Sequence, residues 1–315
     1  MAILITEPQD YSGRAIQEYE RLGLVWLGEA PVDCKDQVKI LVVRLGRRLD
    51  DAYLSAYPSL RTIITPTTGF THIDLPACER RGIRIFSLAD CRDAIDRVTS
   101  TSELTLGLII GLLRRIPMAH YGVLHEGCWE RDRYRSRQLS SLTLGIVGLG
   151  RIGGHLAGYA NALGMRVLAY DPLQEERRFK ELHVERKQLD ALLREADVLS
   201  IHANLTEENR GLIGGREIEL LASHALIINT ARGALLDEDA AAKALGANRL
   251  GGIAVDVLSE EHSAKSPLQS PLVQAARAGL NIIVTPHIGG CTSDAMHVTE
   301  DRMAEVAVAT LKRLI

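Results

Sequence analysis

Short apolar runs alternate with amphipathic stretches along nearly the whole chain. In the first third, "AILIT" precedes a helical stretch, "KILVVR" precedes "LDDAYLSAY", "RTIITP" precedes "HIDLPACERRG", and "RIFSL" closes the series. Apolar runs of this length, separated by helix-length segments, predict parallel strands buried between helices. From Ser100 the pattern changes. "LTLGLIIGLL", Leu104 to Leu113, is far shorter than the ~20 residues a membrane helix needs. It predicts a buried helix, with Ser100 and Glu103 in capping-box spacing at its start. "HEGCWERDRYRSRQLSS" has no core periodicity and predicts an arm. From Leu142 the alternation resumes through "LGIVGL", "RVLAYD", "DVLSIHA", "ALIINT", "GGIAVDV" and "NIIVTP". The last amphipathic stretch, roughly Ser293 to Leu311, has no strand after it. It predicts a helix that packs back on the first domain and makes that domain discontinuous.

A chain of 315 residues exceeds the roughly 250–300 at which single cores stop growing, so two domains are expected. The expected fold class is α/β, with two doubly wound parallel sheets. The boundaries are residues 1–99 plus 288–315 for the first domain and 100–287 for the second. Hydrophobic content of 46% and charge of 24% are those of an ordinary globular protein. A formal net charge of −3 gives no electrostatic argument for a nucleic-acid or membrane partner. Cys34, Cys78, Cys91, Cys128 and Cys291 are scattered, odd in number and without metal spacing, which fits reduced thiols in the cytoplasm and no metal site. The start, "MAILITEPQD", lacks the basic and apolar regions of a signal peptide.

"IVGLGRIGGHLAGYANALGMRVLAYDP" places Gly148, Gly150 and Gly153 between a strand pattern and a helix pattern, and a second strand pattern ends in Asp171. The first glycine permits the tight turn, the second lets backbone approach a pyrophosphate, and the third lets helix pack on strand. The helix N-terminus then offers N–H groups to the phosphates. Asp171 accepts hydrogen bonds from ribose hydroxyls and repels a 2′-phosphate, and no arginine adjoins it. NAD is therefore expected in preference to NADP.

Three further strand patterns end in chemistry: "IINTARG" in Arg232, "AVDVLSEE" in Asp256, Glu260 and Glu261, and "VTPHIGG" in His287. Ligands of open α/β sheets bind at such ends. An arginine fork holds a carboxylate, a histidine carries a proton near neutrality, and a carboxylate beside it favours the charged ring. Together they describe hydride chemistry at a carbon next to a carboxylate.

These segments, with "LGIVGLGRIG" and "NTARGALLDEDA", resemble the NAD-dependent D-isomer-specific 2-hydroxyacid dehydrogenases in order and spacing, most strongly from Thr99 to Gly290. The resemblance implies a Rossmann NAD-binding domain inserted in a smaller, flavodoxin-like substrate domain, and a homodimer formed through the cofactor domains and the arm. It implies that Arg232 holds the substrate carboxylate, His287 is the acid/base and Glu261 supports it. Arg151 and Ile152 fall in the dinucleotide turn, Thr230 and Ala231 beside the nicotinamide ribose, and Asp256 near the carboxamide. Thr206 and Gly289 join Arg232 and His287 on the cofactor side. In "TGFTHID" the backbone of Thr68 and Gly69 meets the substrate, and Arg44 stands at a substrate-facing position.

The chain departs from the family pattern at His262, where proline is usual, at Asn204 in "HANLTEE", and at Leu104 after Glu103. The implied substrate is a small 2-hydroxy or 2-oxo acid. Two other readings use the same scaffold: an NAD(H)-binding regulator resembling corepressors, and a phosphite-type dehydrogenase. The retained Arg, Glu and His favour the enzyme. Finally, Arg131, Arg133, Arg135 and Arg137 alternate in "RDRYRSR". Extended, they would share one face and meet either an acidic substrate or, more simply, solvent and salt-bridge partners.

Overall fold

A computed structural model of the chain describes residues 2–91, 95–96, 98–261 and 266–312. The chain divides into two compact units, Met1–Val98 with Cys291–Ile315, and Thr99–Gly290.

The first unit contains β1 (Ala2–Ile5), α1 (Gly13–Glu20), β2 (Leu24–Leu27), β3 (Val38–Val42), α2 (Asp51–Ser55), β4 (Thr62–Thr65), α3 (Leu75–Arg80) and β5 (Arg84–Ser87). Its strands are all parallel, in the order β2-β1-β3-β4-β5. The central strands are buried on both faces, so their sequences read as continuous apolar runs rather than alternating ones. One face packs Ile3, Ile5, Ile40 and Ile64 under α1 and the last helix of the chain; the other packs Leu4, Leu41 and Ile63 with Leu54 and Ala77.

The second unit opens with α4 (Ser100–Leu113) and α5 (Ile116–Glu126). It continues through β6 (Thr143–Val147), α6 (Arg151–Ala162), β7 (Arg166–Tyr170), α7 (Glu176–Glu181), β8 (Glu185–Arg186), α8 (Leu189–Glu195) and β9 (Val198–Ile201). Then come α9 (Gly215–Leu220), β10 (Leu226–Asn229), α10 (Glu238–Gly246), β11 (Gly252–Val255), α11 (Pro271–Arg277) and β12 (Ile282–Val284). The sheet runs β12-β11-β10-β9-β6-β7-β8, again all parallel. From β6 the chain winds first toward β8 and later, from β9, the opposite way. The crevice between the ends of β6 and β9 is thus the topological switch point, where such sheets bind ligands. Ile227, Leu199 and Ile253, each fully buried in this core, contribute about 1.5–3 kcal/mol apiece.

The last helix, α12 (Ser293–Leu311), belongs to the first unit and packs along α1. Its Met303, Ala304, Ala307 and Val308 enter that core.

The capping-box expectation is corrected. The helix at Ser100 has Thr99 as its N-cap without a side-chain cap bond, and the Thr99 hydroxyl donates to Glu103 at 2.5 Å, so the capping box of Ser100 and Glu103 does not form. Two strands carry no inward alternation to reveal them: β2, an edge strand with both ends exposed, and β8, two exposed charged residues. The arm is not extended. Residues Arg131–Tyr134 form a 3₁₀ turn, and three of the arginines form ion pairs: Arg133 with Glu126 at 3.0 Å, Arg135 with Asp132 at 2.7 Å, and Arg137 with Asp197, distant in the chain, at 2.6 Å. They share no face. Among the described residues, no helix is long and apolar enough to cross a membrane.

Candidate active site

The glycine turn stands at the switch point. Gly148 has φ +96°, and a Cβ there would lie 2.6 Å from Ala203 N and 2.7 Å from His202 C, so only glycine closes the turn from β6 against the end of β9. Gly153 has the same requirement from inside its helix, because its Cβ would stand 2.2 Å from Gly148 O. Gly150 differs: a Cβ would meet nothing within 4 Å. It is the N-cap of α6 and provides no side-chain cap, so N–H groups in the first turn of that helix, at Ile152 and Gly153, face an outside acceptor. Open space before uncapped N–H groups fits a pyrophosphate.

Asp171 follows β7. Its Oδ2 accepts Leu149 N–H at 2.8 Å and its Oδ1 accepts Leu173 N–H at 2.9 Å, which fixes the carboxylate beside the turn. Each oxygen has further acceptor capacity for a ribose hydroxyl. The turn and its acid therefore fit a dinucleotide.

At the end of β10, fully buried Asn229 organises the next segment. Its side chain accepts Ala231 N–H at 3.0 Å and donates to Arg232 O at 2.9 Å. Thr230 is held through its hydroxyl, 2.9 Å from that of buried Thr105 on α4. Arg232 then projects with extended backbone, and its Nη1 donates to Ala231 O at 2.6 Å. Burial pulls its guanidinium below the ordinary arginine range, and the charge of Glu261 offsets part of that. A desolvated fork with no ion-pair partner within 4 Å among the described residues could hold an anion.

The third strand end is built around His287. Its backbone is left-handed, φ +55°, a conformation that costs a non-glycine residue about 1–2 kcal/mol. Asp256, 1% exposed, sustains it. The Asp256 carbonyl accepts His287 N–H at 2.9 Å, Oδ1 accepts the Thr285 hydroxyl at 2.5 Å and Ile288 N–H at 2.8 Å, and Oδ2 accepts Gly289 N–H at 2.7 Å. The ring's Nδ1 stands 3.1 Å from both carboxylate oxygens of Glu261. Donation from Nδ1 to Glu261 sets the tautomer and orientation of the ring.

Arg232, Glu261 and His287 thus all follow the C-terminal ends of neighbouring strands, β10, β11 and β12. Asp256 departs from the sequence expectation, because its carboxylate is buried and engaged by the His287 turn rather than presented outward. Arg44 also departs. Its Nε donates to Glu300 at 2.8 Å and its Nη1 to Gln9 O at 2.8 Å, and its guanidinium lies 4.9 Å from the Tyr11 ring centroid, so it braces α12 within the first unit. Thr68 and Gly69 lie in the loop after β4, where Thr67 Oγ1 donates to Gly69 O at 2.9 Å. Thr206 is exposed on a turn, its N–H bonded to Asn209 at 2.8 Å. His262 lies outside the described residues. Sequence reasoning passes over Asn229 and Glu238. Asn229 is an amide at the end of an apolar run, and Glu238 has the position of an ordinary first-turn acid.

Residues 106–289 match the family model of the D-isomer specific 2-hydroxyacid dehydrogenase, NAD binding domain. The chain is 33% identical over 270 residues to a D-3-phosphoglycerate dehydrogenase of Synechocystis sp., covering 85% of this chain and 46% of that protein. It spans about half the length of the D-3-phosphoglycerate dehydrogenases it matches. It is 33% identical over 306 residues to a glyoxylate reductase of Korarchaeum cryptofilum, covering 94% and 87% of the two chains. Among solved structures it is similar to D-lactate dehydrogenase from Aquifex aeolicus complexed with NAD and lactic acid, with a TM-score of 0.82, 28% identity and coverage of 99% and 96%. The glycine turn at the switch point, the family match and these relatives together place the chain in the D-isomer specific 2-hydroxyacid dehydrogenase family, with an NAD-binding domain at residues 106–289.

Proposed function

We propose that the chain is an NAD-dependent oxidoreductase that interconverts a small D-2-hydroxy acid and its 2-oxo acid. The observation that carries this reading is the contact of His287 Nδ1 with both Glu261 oxygens at 3.1 Å, within electrostatic reach of the desolvated Arg232. The names of the relatives, glyoxylate and hydroxypyruvate reductases and D-3-phosphoglycerate dehydrogenases, support the acid class.

NAD(H), when bound, supplies or takes the hydride. The N–H groups at the start of α6 would hold its pyrophosphate and Asp171 its ribose hydroxyls, with the aspartate charge selecting against a 2′-phosphate. Arg232 grips the substrate carboxylate by two parallel hydrogen bonds. In the reductive direction His287, protonated, delivers the Nε2 proton to the carbonyl oxygen of the 2-oxo acid. In the oxidative direction the neutral ring takes the hydroxyl proton of the hydroxy acid. Glu261 orients the ring and stabilises its cation.

The reading extends to a homodimer in the cytoplasm. Ile116, Tyr121 and Leu124 on α5 are exposed, and Trp129 in the arm is 87% exposed, which suits a surface covered by a second copy. The free cysteines fit a reducing compartment. A panel of 2-oxo acids incubated with NADH and followed by loss of its absorbance tests the reading. Turnover of at least one acid is expected. NADH binding without turnover of any acid would overturn it.

A further inference from the structure

Glu238, the first residue of α10, is 7% exposed. Its Oε1 accepts Ser259 N–H at 2.6 Å, and its Oε2 accepts the Ser270 hydroxyl at 3.1 Å. An acid in a helix's first turn ordinarily faces solvent and serves the helix dipole. This one is buried, a costly place for a carboxylate, and its bonds reach out of the helix to the loop that carries Glu261. The same loop lies against Gly233. A Cβ on Gly233 would stand 2.1 Å from Leu258 C and 2.2 Å from Ser259 N, so the loop backbone lies directly against the residue that follows Arg232. Within the loop, Leu258 O accepts Glu261 N–H at 3.3 Å. The residues from Leu258 to Glu261 form one turn, held at Ser259 by Glu238 and backed by Gly233.

We propose that Glu238 is a positioning residue for the Glu261–His287 pair: its bond to Ser259 clamps the Glu261 turn against the Arg232 strand end, and Gly233 provides the close approach that makes the clamp possible. The proposal rests on the reading of Glu261 and His287 as a working pair. It explains why a buried acid sits on α10 without a cation beside it among the described residues. The carboxylate fixes where a second carboxylate, that of Glu261, stands relative to the ring.

Glu238→Ala removes both bonds. Glu238→Gln keeps an acceptor for Ser259 and a polar contact for Ser270, and Glu238→Asp keeps the charge but shortens the reach. In Glu238→Ala, kcat on the best acid should fall about 10- to 100-fold, the scale of a misplaced catalytic group, with NADH affinity unchanged. Glu238→Gln should restore most of kcat. The proton resonance of His287 Nδ1–H, shifted downfield by its carboxylate partner, should move or broaden in Glu238→Ala and return in Glu238→Gln. Should the alanine variant not fold, Glu238→Asp should show the same displacement in smaller degree. A folded alanine or aspartate variant with wild-type kcat and an unmoved resonance would overturn the proposal. Failure of the underlying reading shows separately, as full turnover by His287→Ala. The resonance comparison needs no turnover and decides the clamp in either case.

Discussion

Asp256 Oδ2 accepts the backbone N–H of Gly289 at 2.7 Å, so the acid at the end of β11 closes the turn that carries His287 at the end of β12. With Oδ1 on Ile288 and Thr285, this buried carboxylate sustains a left-handed histidine that would otherwise relax. Asp256→Asn puts an amide donor where one of these bonds needs an acceptor, and an unmet buried donor costs about 1–3 kcal/mol. The expected outcome is a kcat lower by roughly 10- to 100-fold with a smaller change in NADH affinity. Steady-state kinetics and calorimetry check it. A weakened NADH affinity with unchanged kcat would instead mean that Asp256 serves the cofactor.

Arg232 is expected to bind substrate rather than cofactor. Arg232→Lys keeps the charge and loses the planar fork. It should raise KM for the acid and lower kcat/KM by about 10-fold or more, the scale of one lost charge-assisted hydrogen bond. NADH binding, measured by fluorescence, should not change. An Arg232→Ala enzyme with normal kcat/KM would remove the assignment.

Asp171 is expected to set the cofactor preference. NAD(H) should bind more tightly than NADP(H), and Asp171→Ala should narrow the gap, because repulsion of the 2′-phosphate goes with the charge. Dissociation constants for the two cofactors on both proteins test this. Equal affinities in the wild type would contradict it.

His202, after β9, predicts an acid limb of stability. Its Nε2 lies 2.8 Å from Ser200 Oγ and its Nδ1 is sealed from solvent, and burial pulls the ring from its ordinary 6.5 down to about 4. The folded value lies below the unfolded one, so the unfolded chain binds the extra proton. This contribution is fully present above pH 6.5 and is lost as pH falls through about 4. Its size is at most ~3 kcal/mol. Denaturant melts between those pH values should show a shallower decline for His202→Gln than for the wild type. Parallel declines would show that other groups carry the acid limb.

The sequence made the fold legible where burial is two-sided. Leu226–Asn229 and Gly252–Val255 are buried along their whole length, and an uninterrupted apolar run betrays such strands. Glu185–Arg186, two exposed charged residues on a sheet edge, carries no comparable signal. Among candidate site residues, Arg232, Glu261 and His287 stand out in the sequence because each ends or follows an apolar run with a reactive side chain. The supporting groups do not. Asn229 and Glu238 are ordinary residue types whose meaning lies in what they touch across the fold, and periodicity does not encode that. Arg44 shows the converse. A cation at a strand end suggests an outward-facing group, yet Glu300, distant in the chain and buried on α12, claims it.

Above all, His287 is expected to carry the proton while its neighbours hold it in place. The most direct measurement is the single-turnover rate of oxidation of bound NADH by the best 2-oxo acid, in wild type and His287→Ala, with NADH affinity measured alongside. The rate should fall by about 10²–10⁴-fold, the usual worth of a positioned acid, and NADH affinity should hold. A His287→Ala enzyme that oxidises bound NADH at the wild-type rate would contradict this role for the histidine.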